Sequence, residues 1–237
     1  MRLARRRPIA SAVALALLTT SLSRAAEPPA PPPPASADAK ASAPAIDPNP
    51  PMWEGPEYVM GNPKAKVTLV EYASASCPHC ARFDVVEFPG LKAKYIDTGK
   101  VRYVFREFLT PPEQLAAIGF LLARCGGEAK YWTALDQFFH DQTEIYTTRE
   151  VQGVVLRIAK SVGLSESQIE ACVDSKPALD ALNARMQTAL NAKIESTPTF
   201  LINGVEFHGP PGKEVGVADL AAAIDPLLAP VHKKRHK

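Results

Sequence analysis

The sequence predicts a mixed α/β fold in which a compact sheet core is interrupted by an all-helical insertion. Three observations carry that prediction. Val67–Ala73 is a near-continuous apolar run, and Cys77-Pro78-His79-Cys80 stands directly behind it. Far downstream, Thr197-Pro198-Thr199-Phe200 opens a second apolar run. The long stretch between shows apolar residues at helical rather than strand spacing.

Each element follows in order. Val67–Ala73 reads as a strand covered on both faces, because buried parallel strands lack the polar alternation of half-exposed ones. Residues 81–98 read as a helix that Pro89 kinks or divides, since proline removes a donor and crowds the preceding turn. Val101–Phe105 is a second strand. Leu115–Cys125, Tyr131–His140, Arg149–Val162, Glu166–Val173 and residues 177–192 follow as helices, an insertion spanning about 111–193. Ser165 with Gln168 forms a capping-box pattern. Thr199–Ile202 and Val205–Phe207 are strands joined by Asn203-Gly204, a strong hairpin signal. A last helix covers Val217–Leu228. Phe120, Leu121, Trp132, Phe138 and Phe139 are expected in the core of the insertion.

The ends read differently. Arg5-Arg6-Arg7 precedes an apolar stretch from Ile9 to Leu22, and Ser23-Arg24-Ala25 resembles a small-residue cleavage site. Residues 1–25 therefore read as a signal peptide, with an uncleaved anchor helix as the alternative. Residues 26–51 hold ten of the 23 prolines and many alanines. Such a stretch cannot pair into a sheet and reads as an extended linker. It offers no apolar periodic segment for dimerisation, which favours a monomer. Residues 52–230 suffice for one domain with a sizeable core. Residues 231–237 form a short basic tail.

Charge and cysteine usage fit export. Full-length, the chain has 27 Lys+Arg against 25 Asp+Glu, a formal net charge of +2. Removing residues 1–25, with five arginines and no acid, leaves 22 against 25, or −3. Nucleic-acid binding has no support in that balance. Outside the cytosol disulfides persist. The four cysteines then read as two pairs, Cys77 with Cys80 and, by elimination, Cys125 with Cys172. Two buried free thiols at Cys125 and Cys172 remain the alternative. A bridge there would close a loop of 47 residues. In the entropic model that restricts the unfolded chain by about 4 kcal/mol. The CxxC could also be half of a zinc site, but no second ligand pair stands at close spacing.

The strand–CPHC–helix layout, the Thr197-Pro198 pair and the helical block between them resemble a thioredoxin fold with an all-helical insertion. More narrowly, residues 58–226 resemble the DsbA family of exported thiol:disulfide oxidoreductases. Glu71, six residues before Cys77, falls where that family keeps a buried acid. The resemblance implies a redox-active Cys77–Cys80 disulfide and no other cofactor. It implies a periplasmic location, reduced or unfolded exported proteins as substrates, and a DsbB-like membrane quinone reductase for re-oxidation.

On this reading Cys77 is the exposed nucleophile at a helix N-terminus, where unpaired N–H groups and the helix dipole favour the thiolate. His79 adds a donor or a positive charge within reach of the sulfur. Pro78 suits the first turn, where its missing N–H costs nothing. Glu71 is either a solvent-facing strand residue or a buried carboxyl that exchanges a proton with Cys80; the apolar run around it favours the second. Pro198 is read as cis, facing the disulfide and leaving the Thr197 backbone free for a substrate strand; a trans proline at a strand entrance is the alternative. Thr197 also resembles isomerases and reductases of the wider superfamily, so an isomerase or reductase is the second functional reading.

Overall fold

The computed structural model describes residues 57–230. The expected signal peptide, the proline-rich linker and the basic tail lie outside them. The order is β1 (Tyr58–Gly61), β2 (Val67–Ala73), α1 (Pro78–Arg82), α2 (Phe88–Leu91), β3 (Val101–Glu107), α3 (Glu113–Cys125), α4 (Glu128–Thr148), α5 (Val151–Ser161), α6 (Glu166–Val173), α7 (Lys176–Asn191), β4 (Thr199–Ile202), β5 (Val205–Phe207) and α8 (Val217–Leu228). Among the described residues no helix is long and apolar enough to cross a membrane.

The five strands lie in the order β1-β3-β2-β4-β5. β2 runs parallel to β3 and antiparallel to β4, so it is flanked on both sides. Its side chains divide by parity. Leu69 and Ala73 join the larger core beneath most of the helices, whereas Val70 and Tyr72 join a smaller one with Ala189 of α7 and Ile194. The continuous apolar run thus has a cause: both faces of β2 are dry. At the hairpin, Asn203 and Gly204 both take positive φ, 51° and 80°. That is the conformation a two-residue turn with right-handed strand twist requires.

Several boundaries differ from the sequence reading. β1 was not predicted. It is only four residues long and gains its strand identity by antiparallel pairing with β3, Tyr58 opposite Phe105. β3 extends two residues past Phe105 because Arg106 and Glu107 are buried with partners. The helix after the motif starts at Pro78, not at residue 81. It is broken by π-helical turns at Phe83–Glu87 and Lys92–Ile96 on either side of the Pro89 segment. Proline cannot supply the expected donor, and the widened turns accommodate it. α4 runs eight residues beyond His140, because Gln142 and Ile145 are buried even though their neighbours are polar.

The insertion comprises α3 to α7. Its capping box is present: Gln168 N donates to Ser165 Oγ at 3.3 Å, and Ser165 N donates to Gln168 Oε1 at 2.8 Å. Phe120, Leu121, Phe138 and Phe139 are buried as expected, while Trp132 is only partly so. A cysteine bridge joins Cys125, at the end of α3, to Cys172 of α6. Two devices seat the insertion against the sheet. Gly119 of α3 lies where an added Cβ would stand 2.7 Å from the Ala75 Cβ, so the helix abuts the loop before the motif. Glu107 of β3 accepts from Arg124 Nε and Arg185 Nε, each at 2.6 Å, and from the Tyr131 hydroxyl at 3.2 Å. Three helices are thereby tied to one strand end.

Candidate active site

The Cys77–Cys80 motif lies just past the C-terminal end of β2, the end at which α/β sheets bind their ligands. Ser74, Ala75 and Ser76 form a buried bend between strand and helix. Ser76 Oγ donates to the Thr110 carbonyl at 2.8 Å. From the insertion, Gln142 Nε2 donates to the carbonyls of Ala75 (2.8 Å) and Cys77 (3.2 Å), and the Tyr146 hydroxyl donates to that of Ser76 (2.5 Å). Sequence reasoning missed both residues. They sit in the polar half of α4, which carries no apolar stripe to announce it.

Cys77 is the N-cap of α1 in extended conformation, and its sulfur accepts the Cys80 N–H at 3.4 Å. As a thiol it reaches the Thr197 carbonyl at 3.5 Å. The residue is 7% exposed, so the expectation of an exposed nucleophile needs correction. The sulfur is recessed beside the Thr197 segment, and a partner must meet it through the adjoining cleft. Cys80 is fully buried and its sulfur accepts the Ser74 N–H at 3.5 Å.

The two thiols are driven apart. Hydrogen bonding from Cys80 lowers Cys77 to about 5, against the cost of burial and with help from the Thr197 side chain and the Cys80 and His79 N–H groups. Burial, then the bond to and charge of Cys77, raise Cys80 well above an ordinary thiol. A single negative charge is therefore shared by the pair and resides on Cys77.

His79 is placed differently from the expectation. Its ring Nδ1 pairs with Glu214 Oε1, and its backbone N–H, not its ring, supports Cys77. Glu71 is 3% exposed and accepts from the Tyr103 hydroxyl at 2.6 Å. Burial raises its carboxyl to about 8, opposed by the Tyr103 bond and reinforced by the negative charges of Asp84 and Cys77. The Thr197–Pro198 peptide is cis, as is Pro111–Pro112, which the sequence reading did not anticipate. A cleft of about 390 Å3 opens beside the motif, lined by His79, Arg82, Phe83, Thr197, Pro198 and residues 212–215. A larger, shallow depression of about 610 Å3, lined by Lys64, Lys66 and Lys100, lies at the opposite end of β2 and β3 and touches no motif residue.

Among the described residues, one group could offer three metal donors together: Asp84, Asp136 and His140, with donor atoms within 4.8 Å of one another. Asp136 and His140 are exposed, and the cysteine motif contributes nothing to the group. What the motif can do is exchange thiols and disulfides. The recessed Cys77 sulfur lies beside Thr197, a residue of the cleft lining, and the buried Cys80 sulfur stands one helical turn away.

The family described as Thioredoxin matches residues 54–225. A provisionally named protein-disulfide oxidoreductase of Rickettsia typhi is 32% identical over 174 residues, covering 73% of this chain and 62% of the relative. One from Rickettsia felis is 34% identical, covering 73% and 60%. The chain thus spans about three-fifths of the length of these curated relatives. Among solved structures, alpha-DsbA1 of Wolbachia pipientis superposes with a TM-score of 0.65 at 27% identity, covering 74% of this chain and 92% of that one. The chain belongs to the thioredoxin family, and its fold is similar to that of the Wolbachia DsbA-type structure.

Proposed function

We propose that this chain is an exported thiol–disulfide oxidoreductase that introduces disulfides into other exported proteins. The observation that carries this reading is the opposite displacement of the two thiols, Cys77 down to about 5 and Cys80 well up. A thiolate that is stable as an anion is a good leaving group and a reluctant nucleophile. The disulfide form is then the reactive one, poised to accept electrons.

The reaction proceeds in two exchanges. A substrate thiolate attacks the Cys77 sulfur of the Cys77–Cys80 disulfide. That bond breaks, Cys80 leaves and takes up a proton, and a mixed disulfide to Cys77 forms. A second substrate thiolate attacks the substrate sulfur of the mixed disulfide and expels Cys77 as a thiolate. The substrate gains one disulfide and loses two electrons, which the Cys77/Cys80 pair now holds. A quinone, reduced to its quinol by way of a DsbB-like membrane partner, restores the enzyme disulfide. Glu71, the buried carboxyl on the motif side of β2, exchanges the proton that Cys80 gains and loses. Thr197, before the cis Pro198, presents its backbone to an extended substrate chain across the cleft. The resemblance and the expected signal peptide support a periplasmic reaction, and the lack of an apolar periodic segment in residues 26–51 supports a monomer.

The test is oxidation of a reduced dithiol peptide by the purified disulfide form, with the equilibrium against glutathione measured alongside. The wild type should transfer one disulfide per chain and show a potential well above the roughly −270 mV typical of thioredoxin. Cys77→Ser should transfer none. A thioredoxin-like potential would replace the oxidase reading with a reductase.

A further inference from the structure

Glu214 lies in the segment between β5 and α8 and lines the active-site cleft together with Thr197 and Pro198. Both of its carboxylate oxygens are engaged with basic side chains of the motif helix. Oε1 pairs with His79 Nδ1, and Oε2 meets an Arg82 terminal nitrogen at 2.9 Å. Arg82 also approaches Glu87 at 3.7 Å, and Glu87 in turn accepts the Val217 N–H at 2.9 Å. The two basic side chains are about half or more exposed, so these pairs contribute little to stability. Their consequence is where the charge sits. His79 is the residue between the two cysteines, and Arg82 is five residues after Cys77 on the same turn system.

We propose that Glu214 is a positioning residue that holds the positive charge of His79 and Arg82 away from Cys77 and so sets how oxidising the cysteine pair is. The inference rests on Cys77 acting as the leaving thiolate. From the sulfur, Arg82 and a protonated His79 would each favour the anion. The Glu214 carboxylate offsets them and turns the imidazole toward the cleft wall. The other ionisable groups around this cluster are Glu87 beside Arg82 and Lys213 in the cleft wall. Around Cys77 itself they are Cys80, Glu71 and Tyr146. None of these changes when Glu214 does, so a neutral isostere isolates one charge.

The experiment compares wild type, E214Q, E214D and E214A, each with the Cys125–Cys172 bridge intact. Two readouts are used: the glutathione equilibrium and the ultraviolet titration of the Cys77 thiolate. E214Q should shift the equilibrium about threefold toward the reduced enzyme, the size expected of one surface charge acting through partly screened solvent. The Cys77 midpoint should fall by about half a pH unit in the same variant. E214D should behave as wild type, and molar salt should shrink the E214Q effect. An E214Q protein indistinguishable from wild type would overturn the proposal. So would a shift seen in E214A and absent in E214Q, because shape rather than charge would then be responsible. If wild-type Cys77 itself ionises like a free cysteine, the functional reading fails and the role of Glu214 fails with it; wild type alone reads that outcome.

Discussion

Glu71 and Glu107 stand on neighbouring parallel strands, both on the face that meets the larger core, and are 3% and 1% exposed. Their surroundings could hardly differ more. Glu107 receives two arginine side chains and a tyrosine hydroxyl. Glu71 receives a tyrosine hydroxyl and faces the negative charges of Asp84 and Cys77. A buried carboxylate held by arginines from two helices fastens those helices to a sheet. One without a cation is pushed toward its neutral form and can trade a proton near neutral pH. Two identical side chains at the same depth thus differ, one an anchor and the other a carboxyl with a raised pKa, according to what the insertion brings to them.

Removing each charge should break the comparison in opposite directions. Glu107→Gln leaves two buried guanidinium groups facing a neutral amide. Denaturant unfolding should show a loss of about 4 kcal/mol, the cost typical of breaking a buried pair from one side. A loss below about 1 kcal/mol would mean that the anchor is dispensable.

Glu71→Gln should do the reverse. The folded carboxyl is raised to about 8, above its unfolded value near 4.5. The wild type therefore holds its full stability below about 4.5 and loses it as pH rises toward 8. The amide carries no such penalty. The variant should match wild type at pH 4 and exceed it by about 3 kcal/mol at pH 7, from about 1.4 kcal/mol per pH unit. Disulfide transfer should slow in the same protein while its fold is intact. A stability gap independent of pH, or an unchanged rate, would leave Glu71 as a packed polar residue and nothing more.

How much of this the sequence discloses depends on distance along the chain. The CPHC motif, the two faces of β2, the Asn203-Gly204 turn and the Ser165 cap are written in residues a few positions apart. All are legible from periodicity and turn chemistry. So was Glu71, because a lone acid inside a run with two dry faces has no route to solvent. Glu107 was not, because its partners lie 17, 24 and 78 residues away on three separate helices. Gln142, Tyr146 and Glu214 escaped for the same reason. Each acts by reaching across 65 to 135 residues to the motif loop or helix. His79 shows the limit from the other side. Its identity is local, but the direction of its ring is decided by a loop the local sequence does not contain.

The central claim is that the active-site pair keeps its negative charge on Cys77. With its folded value depressed to about 5 from about 9, this thiol stabilises the reduced form fully above pH 9. That contribution is lost as pH falls through 5, and the disulfide form, having no thiol to ionise, lacks it altogether. The most direct measurement is the ultraviolet absorbance of the thiolate in the reduced protein, titrated from pH 3 to 10, with Cys77→Ser as the blank. The account predicts a midpoint near 5 that disappears in the blank. A midpoint near 8.5, the value of a free cysteine, would contradict it.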